Sequence, residues 1–305
     1  MAYEILFMGT PEFSVPILKS LNSKHKVLSV FTQPPKKKSR GQKILKSPIH
    51  LEAEKLNLPI RFPNSLNNDL DYEFIKESKV KFVIVVAYGQ IIPERFLSIK
   101  NMIFFNIHAS LLPRWRGAAP IQRSIIEMDR KTGITIMKII SKLDAGPFML
   151  QKSIGIDEKD NFLSLSNKLS ELSSKLIIEA LSIFEKNQAR FEDQQEKLVT
   201  YAKKIEKKES EINWNESARK LIAKINGLNP YPGVWFKHND SRIKIIEAEV
   251  SNNKGKSGEV LTNDLIVGCM DKSIKITLLQ KEGRNTIDTK SFLSGYKISK
   301  GEFLS

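Results

Sequence analysis

Cysteine is nearly absent from this sequence. Of its 305 residues, one is a cysteine, Cys269, which excludes an internal disulfide framework and is typical of a reducing compartment. The four histidines, His25, His50, His108 and His238, are scattered and have no cysteine or histidine partners at the spacing of metal ligands. We therefore expect neither disulfides nor a bound metal.

Glycine-rich phosphate loops are also absent. The first apolar segment leads into MGTPEFSVP, which contains neither G-x-G-x-x-G nor G-x-x-x-x-G-K-[ST]. These two motifs bind the phosphates of dinucleotides and of nucleoside triphosphates. Their absence therefore weakens the case for either class of ligand.

No apolar run is long enough to cross a membrane. The longest begins at Phe82 and ends near Ile92, far short of the roughly 20 residues that a membrane-spanning helix needs. The N-terminal sequence MAYEILFMG carries Glu4 among its apolar residues and has no basic start, which argues against a secretory signal. We expect a soluble, cytoplasmic protein, with the monomer as its expected state.

What the sequence has in excess is positive charge. Its 49 lysines and arginines against 34 acidic residues give a net charge of +15, which favours an anionic partner, nucleic acid above all. The chain is also rich in lysine, isoleucine and asparagine throughout, so a compositional bias explains the same excess. Charge alone leaves both interpretations open.

The apolar segments of the first half predict an α/β fold. Short strands are expected at residues 3–8, 27–31, 80–87, 102–107 and 133–140. Helical patterns lie near 13–21 and 48–57, and a long helix with one apolar stripe is expected near 161–186. Because strands alternate with helices, we expect a Rossmann-like open sheet whose strands are mostly parallel.

The second half predicts a smaller, β-rich domain. Residues 187–211 are polar and charged, and we expect a linker there that is partly ordered at best. A helix near 215–226 should end at Gly227, because glycine is favourable just past a helix end. Five short apolar segments separated by turn residues then predict a small OB-like β-barrel, at 234–237, 243–250, 258–261, 265–270 and 274–279. The expected boundaries are a first domain at 1–188, a linker at 189–206 and the barrel domain at 207–305.

Two polar side chains stand at the end of an apolar strand. Because side chains alternate along a strand, Asn106 and His108 should point to one side while Ile107 points into the core. A second polar segment, residues 142–147, follows another strand, and its Asp144 could reach His108. An amide and a charged imidazole aimed at one atom would form an oxyanion site, and a nearby carboxylate favours the charged imidazole. A satisfied core histidine is the simpler alternative.

No activated nucleophile accompanies these residues. Ser110 follows closely, but the sequence Ser-Leu-Leu-Pro lacks the G-x-S-x-G pattern of a nucleophile elbow. If this site carries out acyl transfer, the nucleophile should therefore come from a second substrate.

The wider stretch NIHASLLPRWRGAAPIQRSI, residues 106–125, resembles the folate-dependent formyltransferases, whose strand ends in N-x-H followed by S-L-L-P and G-x-x-P. The segment KLDAGP at 142–147 is similar to the aspartate loop of that family. FMGTPEFSVP, TYAKKIEKKESEINW and NGLNPYPGVWF are similar to the members that act on methionyl-tRNA. These matches occur in the expected order over nearly the whole chain.

This resemblance implies a reaction and its catalytic residues. A formyl group would pass from 10-formyltetrahydrofolate to the α-amine of methionine on initiator methionyl-tRNA. Asn106 and protonated His108 would hold the formyl oxygen. Asp144 would keep His108 charged and oriented, and it would help to move a proton from the attacking amine.

The resemblance also implies where the folate lies. Its expected contacts are in the loop after His108 and after the strand at 80–87, namely Ser110, Leu111, Leu112, Pro113, Tyr88 and Gly89. Tyr88 and Gly89 would bring backbone amides to the edge of the pterin. The valines of residues 85–92 are more simply explained as strand core than as folate contacts.

A basic run follows the second expected strand. Residues 34–46 read PPKKKSRGQKILK, with six positive charges and no acidic residue. In the family that the chain resembles, this is an insertion near the tRNA acceptor end, which implies tRNA contacts by Lys36, Lys37, Lys38, Arg40 and Lys43. The lysines would meet phosphates, and Arg40 would stack on a base or form paired hydrogen bonds to a phosphate. A solvated surface loop is the alternative, and the C-terminal barrel would be a second tRNA-binding surface.

Three other functions remain open at this stage. A formyltransferase with a nucleotide-sugar or ribonucleotide amine as acceptor would not require the basic run or the barrel. A non-catalytic RNA-binding protein would require none of the three catalytic residues. A nucleotide-dependent oxidoreductase is disfavoured by the missing glycine fingerprint.

Overall fold

The computed structural model describes residues 2–38 and 43–305, and it divides the chain into two compact units. The first unit consists of Met1–Gly117, Thr132–Ile154 and Ser166–Tyr201. The second consists of Ala118–Lys131, Gly155–Leu165 and Ala202–Ser305. Each unit is assembled from separate stretches of chain, so the contiguous boundaries expected from the sequence stay a prediction.

The helices and strands follow the expected alternation in the first half of the chain. Strands β1 to β16 lie at Glu4–Gly9, Lys26–Phe31, Lys36–Lys38, Lys43–Leu45, Ile60–Arg61, Phe82–Val86, Ile103–His108, Arg116–Gly117, Lys131–Lys138, Phe148–Gly155, Tyr201–Ala202, Val234–His238, Ser241–Ser251, Ile266–Gly268, Ser273–Lys281 and Ile287–Asp288. Helices α1 to α8 lie at Val15–Lys24, Pro48–Lys55, Asp69–Glu77, Glu94–Leu97, Pro120–Ile126, Phe162–Glu185, Ala218–Leu228 and Thr289–Gly295. Single 3-10 turns lie at Glu12–Ser14, Glu196–Leu198 and Lys207–Ser210. Across the described ranges, no helix has both the length and the apolar character needed to cross a membrane.

The principal sheet has the strand order β10-β9-β7-β6-β1-β2-β5. Strands β7, β6, β1, β2 and β5 are parallel to one another, and β7 pairs with β9 in antiparallel fashion. Strand β6 reads FVIVV and is buried along its whole length, as a continuous apolar run predicts for a strand covered on both faces. The expectation of an open, mostly parallel α/β sheet is confirmed.

The long helix α6 packs on the two strands that carry the candidate site. The ring of Phe184 lies 5.1 Å from that of Phe82 on β6 and 5.6 Å from that of Phe105 on β7, measured between centroids. Such edge-to-face contacts between buried aromatic rings add to the free energy of burial. They hold β7 from behind, so that its carboxyl end is placed by a rigid core.

The second unit contains a small antiparallel sheet. Its strand order is β12-β13-β15-β14, with β16 pairing to β15. The β-rich C-terminal domain expected from the sequence is thus confirmed as a fold class. One expected strand, at 258–261, is instead reduced to isolated bridges, Glu259 with Phe303 and Val260 with Val267.

The sequence predicted that helix α7 ends at Gly227, and this prediction is wrong. The helix continues through Leu228, so Gly227 lies inside it. A Cβ at this position would lie 2.7 Å from Cγ1 of Ile126 on helix α5, closer than packed carbon atoms approach. The glycine therefore serves the close packing of α5 against α7 rather than the helix end.

The segment after α6 is more ordered than its polar composition predicted. Strand β11 at Tyr201–Ala202 pairs with β8, and the carbonyl of Thr200 accepts from the backbone N–H of Arg116 at 2.9 Å. Backbone hydrogen bonds thus hold this part of the chain, and the linker expected there stays a prediction.

Candidate active site

Strand β7 places Asn106 and His108 at the carboxyl edge of the principal sheet. Asn106 pairs with Val85 on β6 and with Met137 on β9, which holds the backbone on both sides. Ile107 between them is buried at 3% exposure. Ligands of open α/β sheets bind beyond this edge, so the two polar side chains stand where such a ligand would meet them.

The carboxylate of Asp144 lies against both side chains. Nδ2 of Asn106 donates to Oδ1 of Asp144 at 3.2 Å, and Nδ1 of His108 lies 3.7 Å from Oδ2. The backbone N–H of Gly117 donates to the same Oδ2 at 2.8 Å. The structure thus brings together the three residues that the sequence predicted as catalytic, two from strand β7 and one from a loop that is distant in the chain.

The second ring nitrogen of His108 has its own partner. Nε2 lies 2.8 Å from the carbonyl oxygen of Trp115. Because a carbonyl only accepts, Nε2 must carry a proton in this contact, which leaves Nδ1 facing the carboxylate. A proton on Nδ1 would then give a charged ring with a donor at the edge of the sheet. His108 is buried like a core histidine. It differs from a satisfied core histidine because one ring nitrogen, Nδ1, faces the carboxylate of Asp144.

Both loops around this site contain a residue with an unusual backbone conformation. Asp144 has φ +46° and Trp115 has φ +66°, in the left-handed region that residues other than glycine seldom adopt. Such conformations persist where surrounding contacts impose them, and they concentrate at functional sites. Close approach of the Asp144 loop to β9 also requires Gly146, where a Cβ would lie 1.8 Å from the carbonyl oxygen of Lys138.

Sequence reasoning missed the residues that hold these loops. The amide of Gln194 donates to the carbonyl oxygens of Asp144 and Gly146 at 2.9 and 2.8 Å. Oγ1 of Thr200 accepts from the backbone N–H of Trp115 at 2.9 Å. Arg116 stands within the quoted stretch at 106–125 and Thr200 begins the quoted segment TYAKKIEKKESEINW, but neither match indicated a role at this site. Gln194 lies in no quoted motif.

The expected folate contacts differ in their accessibility. Tyr88, Ser110 and Leu112 are buried among protein atoms. The carbonyl of Ser110 accepts from Oγ1 of Thr135 at 2.6 Å, and that of Leu112 accepts from the amide of Gln151 at 2.7 Å. Gly89 is exposed, whereas Leu111 and Pro113 are partly exposed. A ligand at this edge of the sheet would therefore touch the last three residues directly and the others only through their backbone or after a rearrangement.

The loop after β6 is fixed by its backbone. The carbonyl of Tyr88 accepts from Oγ1 of Thr10 at 2.8 Å and from the amide of Gln33 at 3.3 Å, which ties together the ends of three parallel strands. The tyrosine ring is buried in the core, and this burial raises the pKa of Tyr88 above its usual value. The neighbouring Ile91 is 90% exposed, so the loop presents an apolar side chain outward.

The basic run forms a short hairpin at its base. Strands β3 and β4 pair antiparallel with Lys36 opposite Leu45, Lys37 opposite Ile44 and Lys38 opposite Lys43. Lys36 is exposed. Arg40, expected as the key arginine of this run, lies outside the described residues.

The second unit carries a basic concave surface. An open cavity of about 700 Å³ is lined by five basic residues, Lys207, Lys208, Lys237, Arg242 and Lys244, together with two aromatic ones, Tyr231 and Trp235. The guanidinium of Arg242 lies 4.5 Å from the centre of the Trp235 ring. Trp235 is half-buried at this surface, whereas Trp214 lies in the core of the unit.

Known proteins resemble this chain along its whole length. Residues 3–181 match the formyl transferase family, and residues 204–297 match the formyl transferase C-terminal domain. The chain is 50% identical over 304 residues to a methionyl-tRNA formyltransferase of Pelagibacter ubique (strain HTCC1062), which covers 99% of this chain and 98% of the relative. It is 41% identical over 303 residues to a methionyl-tRNA formyltransferase of Rickettsia peacockii (strain Rustic), with 99% of both chains covered.

A solved structure shares the fold. The chain superimposes on HypX from Aquifex aeolicus in complex with tetrahydrofolic acid with a TM-score of 0.68 and 18% sequence identity. The match covers 100% of this chain and 51% of HypX. At that identity the likeness shows a common fold and nothing further.

Proposed function

This chain belongs to the family of methionyl-tRNA formyltransferases, and from that premise we propose its reaction and the residues that perform it. The formyl group of 10-formyltetrahydrofolate passes to the α-amine of methionine on initiator methionyl-tRNA, giving N-formylmethionyl-tRNA for translation initiation. The observation that carries the catalytic assignment is the contact of one carboxylate, Asp144, with both Asn106 and His108. The donor supplies a formyl carbon bound to nitrogen, which an uncharged amine can attack.

Asn106 and His108 stabilise the charge that grows on the formyl oxygen during the attack. The amide nitrogen of Asn106 has two hydrogens, of which one is directed at Asp144 and the other is left for the substrate. Protonated Nδ1 of His108 supplies the second donor. Donors that are already in place when charge develops are worth about 10²–10³ each in rate, so these two side chains account for much of the catalysis.

Asp144 orients the two donors and takes part in proton movement. Its Oδ2 lies 3.7 Å from Nδ1 of His108, so a proton on that nitrogen would face the carboxylate. The attacking amine loses a proton and the folate nitrogen gains one, and Asp144 is the base closest to the two donors that hold the reacting group. An α-amine titrates near pH ~8, so a useful uncharged fraction exists at neutral pH.

The residues beside the site suit a flat, partly apolar donor. Gly89, Leu111 and Pro113 are at least partly exposed around it, and the loop that holds Gly89 is fixed by Thr10 and Gln33. The outward Ile91 adds apolar surface to the same loop. Small-molecule sites of this kind combine apolar walls with a few fixed polar groups. We assign the folate to these residues, with Tyr88, Ser110 and Leu112 contributing backbone shape.

Two basic surfaces supply the attraction for tRNA. The hairpin at β3 and β4 brings the lysines of the basic run to one backbone scaffold, and Arg40 belongs to the same run. The second unit adds the basic cavity around Trp235. Lysines and arginines that meet phosphates release counterions, so the apparent affinity for tRNA falls steeply as salt rises.

One assay tests the function directly. The purified protein is incubated with 10-formyltetrahydrofolate and methionyl-tRNA, and formyl-methionine is measured after the ester bond is hydrolysed. Initiator and elongator tRNAs are compared in parallel. We expect formylation of the initiator form. Formylation of an amino-sugar nucleotide or a ribonucleotide amine, with none of methionyl-tRNA, would contradict the proposed acceptor.

A further inference from the structure

The residues at 194–200, which we call the bracing segment, contact both loops of the catalytic site. Gln194 is 9% exposed and bonds the carbonyl oxygens of Asp144 and Gly146, at 2.9 and 2.8 Å. Thr200 bonds the backbone N–H of Trp115 at 2.9 Å. The two site residues with left-handed backbone, Asp144 and Trp115, are thus each tied to this one segment.

The chemistry of its neighbours fixes which way the amide of Gln194 points. Oε1 accepts from Nε of Arg116 at 2.9 Å, while Nε2 faces the two carbonyl oxygens. A guanidinium only donates and a carbonyl only accepts, so a flipped amide would lose all three bonds. Among side chains of this length, an amide alone satisfies both sides. A glutamate would keep the bond to Arg116 but would direct a carboxylate oxygen at two carbonyl oxygens.

Arg116 extends the same network to the side chain of Asp144. Its guanidinium is fully buried, and Nη2 donates to Glu196 at 3.0 Å. The next residue, Gly117, donates its backbone N–H to Oδ2 of Asp144 at 2.8 Å. The backbone of Asp144 is therefore held by Gln194, and its carboxylate is held by the residue after Arg116. One connected set of hydrogen bonds fixes both ends of the catalytic aspartate.

We propose that Gln194 is a positioning residue, which sets the carboxylate of Asp144 against His108 by bonding the backbone of the Asp144 loop. This inference rests on the catalytic role of Asp144 proposed above. Gln194 itself contacts neither the reacting atoms nor the expected folate contacts. Its effect reaches the reaction through geometry, and displacement of a catalytic group by about 1 Å can cost about 10²-fold in rate.

A double-mutant cycle separates this role from a general role in stability. Formyl transfer is measured at saturating 10-formyltetrahydrofolate and varied methionyl-tRNA for the wild type, Gln194→Glu, Asp144→Asn and the double variant. We expect Gln194→Glu to lower kcat by about 10- to 100-fold with little change in the KM for methionyl-tRNA. In the Asp144→Asn background the same substitution should cost less than about threefold, because interacting residues are not additive.

Matched variants guard against a simple folding defect. Gln188→Glu makes the same change in charge at an exposed position outside the bracing segment and should leave kcat unchanged. Gln194→Met keeps the volume of the side chain without adding charge, and it should also lower kcat. It provides the test if Gln194→Glu fails to fold.

The outcomes distinguish this inference from the proposed function. Equal costs of Gln194→Glu in both backgrounds, or wild-type kcat for both Gln194 variants beside a slow Asp144→Asn, would overturn the positioning role alone. Wild-type turnover of Asp144→Asn would overturn the catalytic assignment, and the positioning role with it.

Discussion

The catalytic stretch at 106–117 and the bracing segment at 194–200 hold the same aspartate, yet they differ in how they do so. Asn106 and His108 face the carboxylate with their side chains, at 3.2 and 3.7 Å. Gln194 binds the backbone of the same loop, and Thr200 binds the backbone of Trp115. The first stretch supplies side chains that can contact a substrate. The second holds the backbone of the loops and so fixes the positions of those side chains.

This difference explains why the sequence predicted the role of residues 106–117 but not that of the bracing segment. A group that stabilises developing charge must be of one chemical type at one place, which leaves a compact pattern such as N-x-H. A group that binds a carbonyl oxygen can be supplied by many polar side chains from any part of the chain. The two regions should accordingly differ in the size of their effects on the chemical step.

The largest effect should follow removal of a group that touches the substrate. Asn106→Ala or His108→Ala should lower kcat by about 10²–10³, because each removes one donor to the developing oxyanion. The KM for methionyl-tRNA should stay near that of the wild type. Steady-state kinetics with both substrates varied would check both statements.

The matched control for Asn106 is Asn64→Ala, at an exposed position outside the site. It should leave kcat and KM unchanged. If Asn106→Ala had the same kcat as its control, the proposed distinction between the two regions would be contradicted, because Asn106 would then have no direct role in the reaction.

A smaller effect is expected from the second anchor of the bracing segment. Thr200→Val removes the acceptor for the backbone N–H of Trp115 but leaves the carbonyl of Thr200 bound to Arg116. The lost bond should lower kcat about 2- to 10-fold, in line with the roughly 0.5–1.5 kcal/mol of one hydrogen bond. Thr286→Val, at an exposed position, is the control. A loss as large as that of Asn106→Ala would mean that Thr200 does more than hold the loop.

Much of the fold was predictable because its signals are local. The buried run of β6 and the alternation of strands with helices indicated the parallel sheet. Strand β10 at Phe148–Gly155 was not expected, because it lies at the sheet edge, is only partly buried and has no continuous apolar run. Gly227 was misread as a helix end, because its true role depends on contact with Ile126, far away in the sequence.

The candidate site was predictable only in part for a related reason. The sequence suggested that Asn106, His108 and Asp144 meet, since each follows or ends an apolar strand. It could not distinguish Gln194 from Gln195, two adjacent glutamines of which one is buried in the network and the other exposed. Nor could it show that Trp115 and Asp144 adopt left-handed backbone, because long-range contacts impose it.

The smallest effect concerns the outer end of the network. Hydrogen bonds from Arg116 and then Lys142 hold the pKa of the Glu196 carboxyl below its usual value. A depressed pKa in the folded state stabilises the protein above the unfolded pKa of about 4.3, and this contribution disappears as pH falls through the folded value. Glu196→Gln should therefore lower Tm slightly at pH 7, where the exposed pair is weak but present.

The pH dependence of this difference is the diagnostic feature. The gap in Tm between wild type and Glu196→Gln should close as pH falls through the depressed pKa of Glu196, because the wild-type carboxylate then also becomes protonated. Thermal melts of both proteins across this range provide the measurement. A gap of the same size at both ends would show that Glu196 contributes through packing rather than through its charge.

The most direct test of the account is a crystal structure with a stable 10-formyl folate analogue, such as 10-formyl-5,8-dideazafolate. We predict that the formyl oxygen lies about 2.7–3.1 Å from both Nδ2 of Asn106 and Nδ1 of His108, with the Asp144 carboxylate still beside them. A formyl oxygen directed away from both nitrogens, or an Asp144 loop displaced from His108 with the analogue bound, would contradict it.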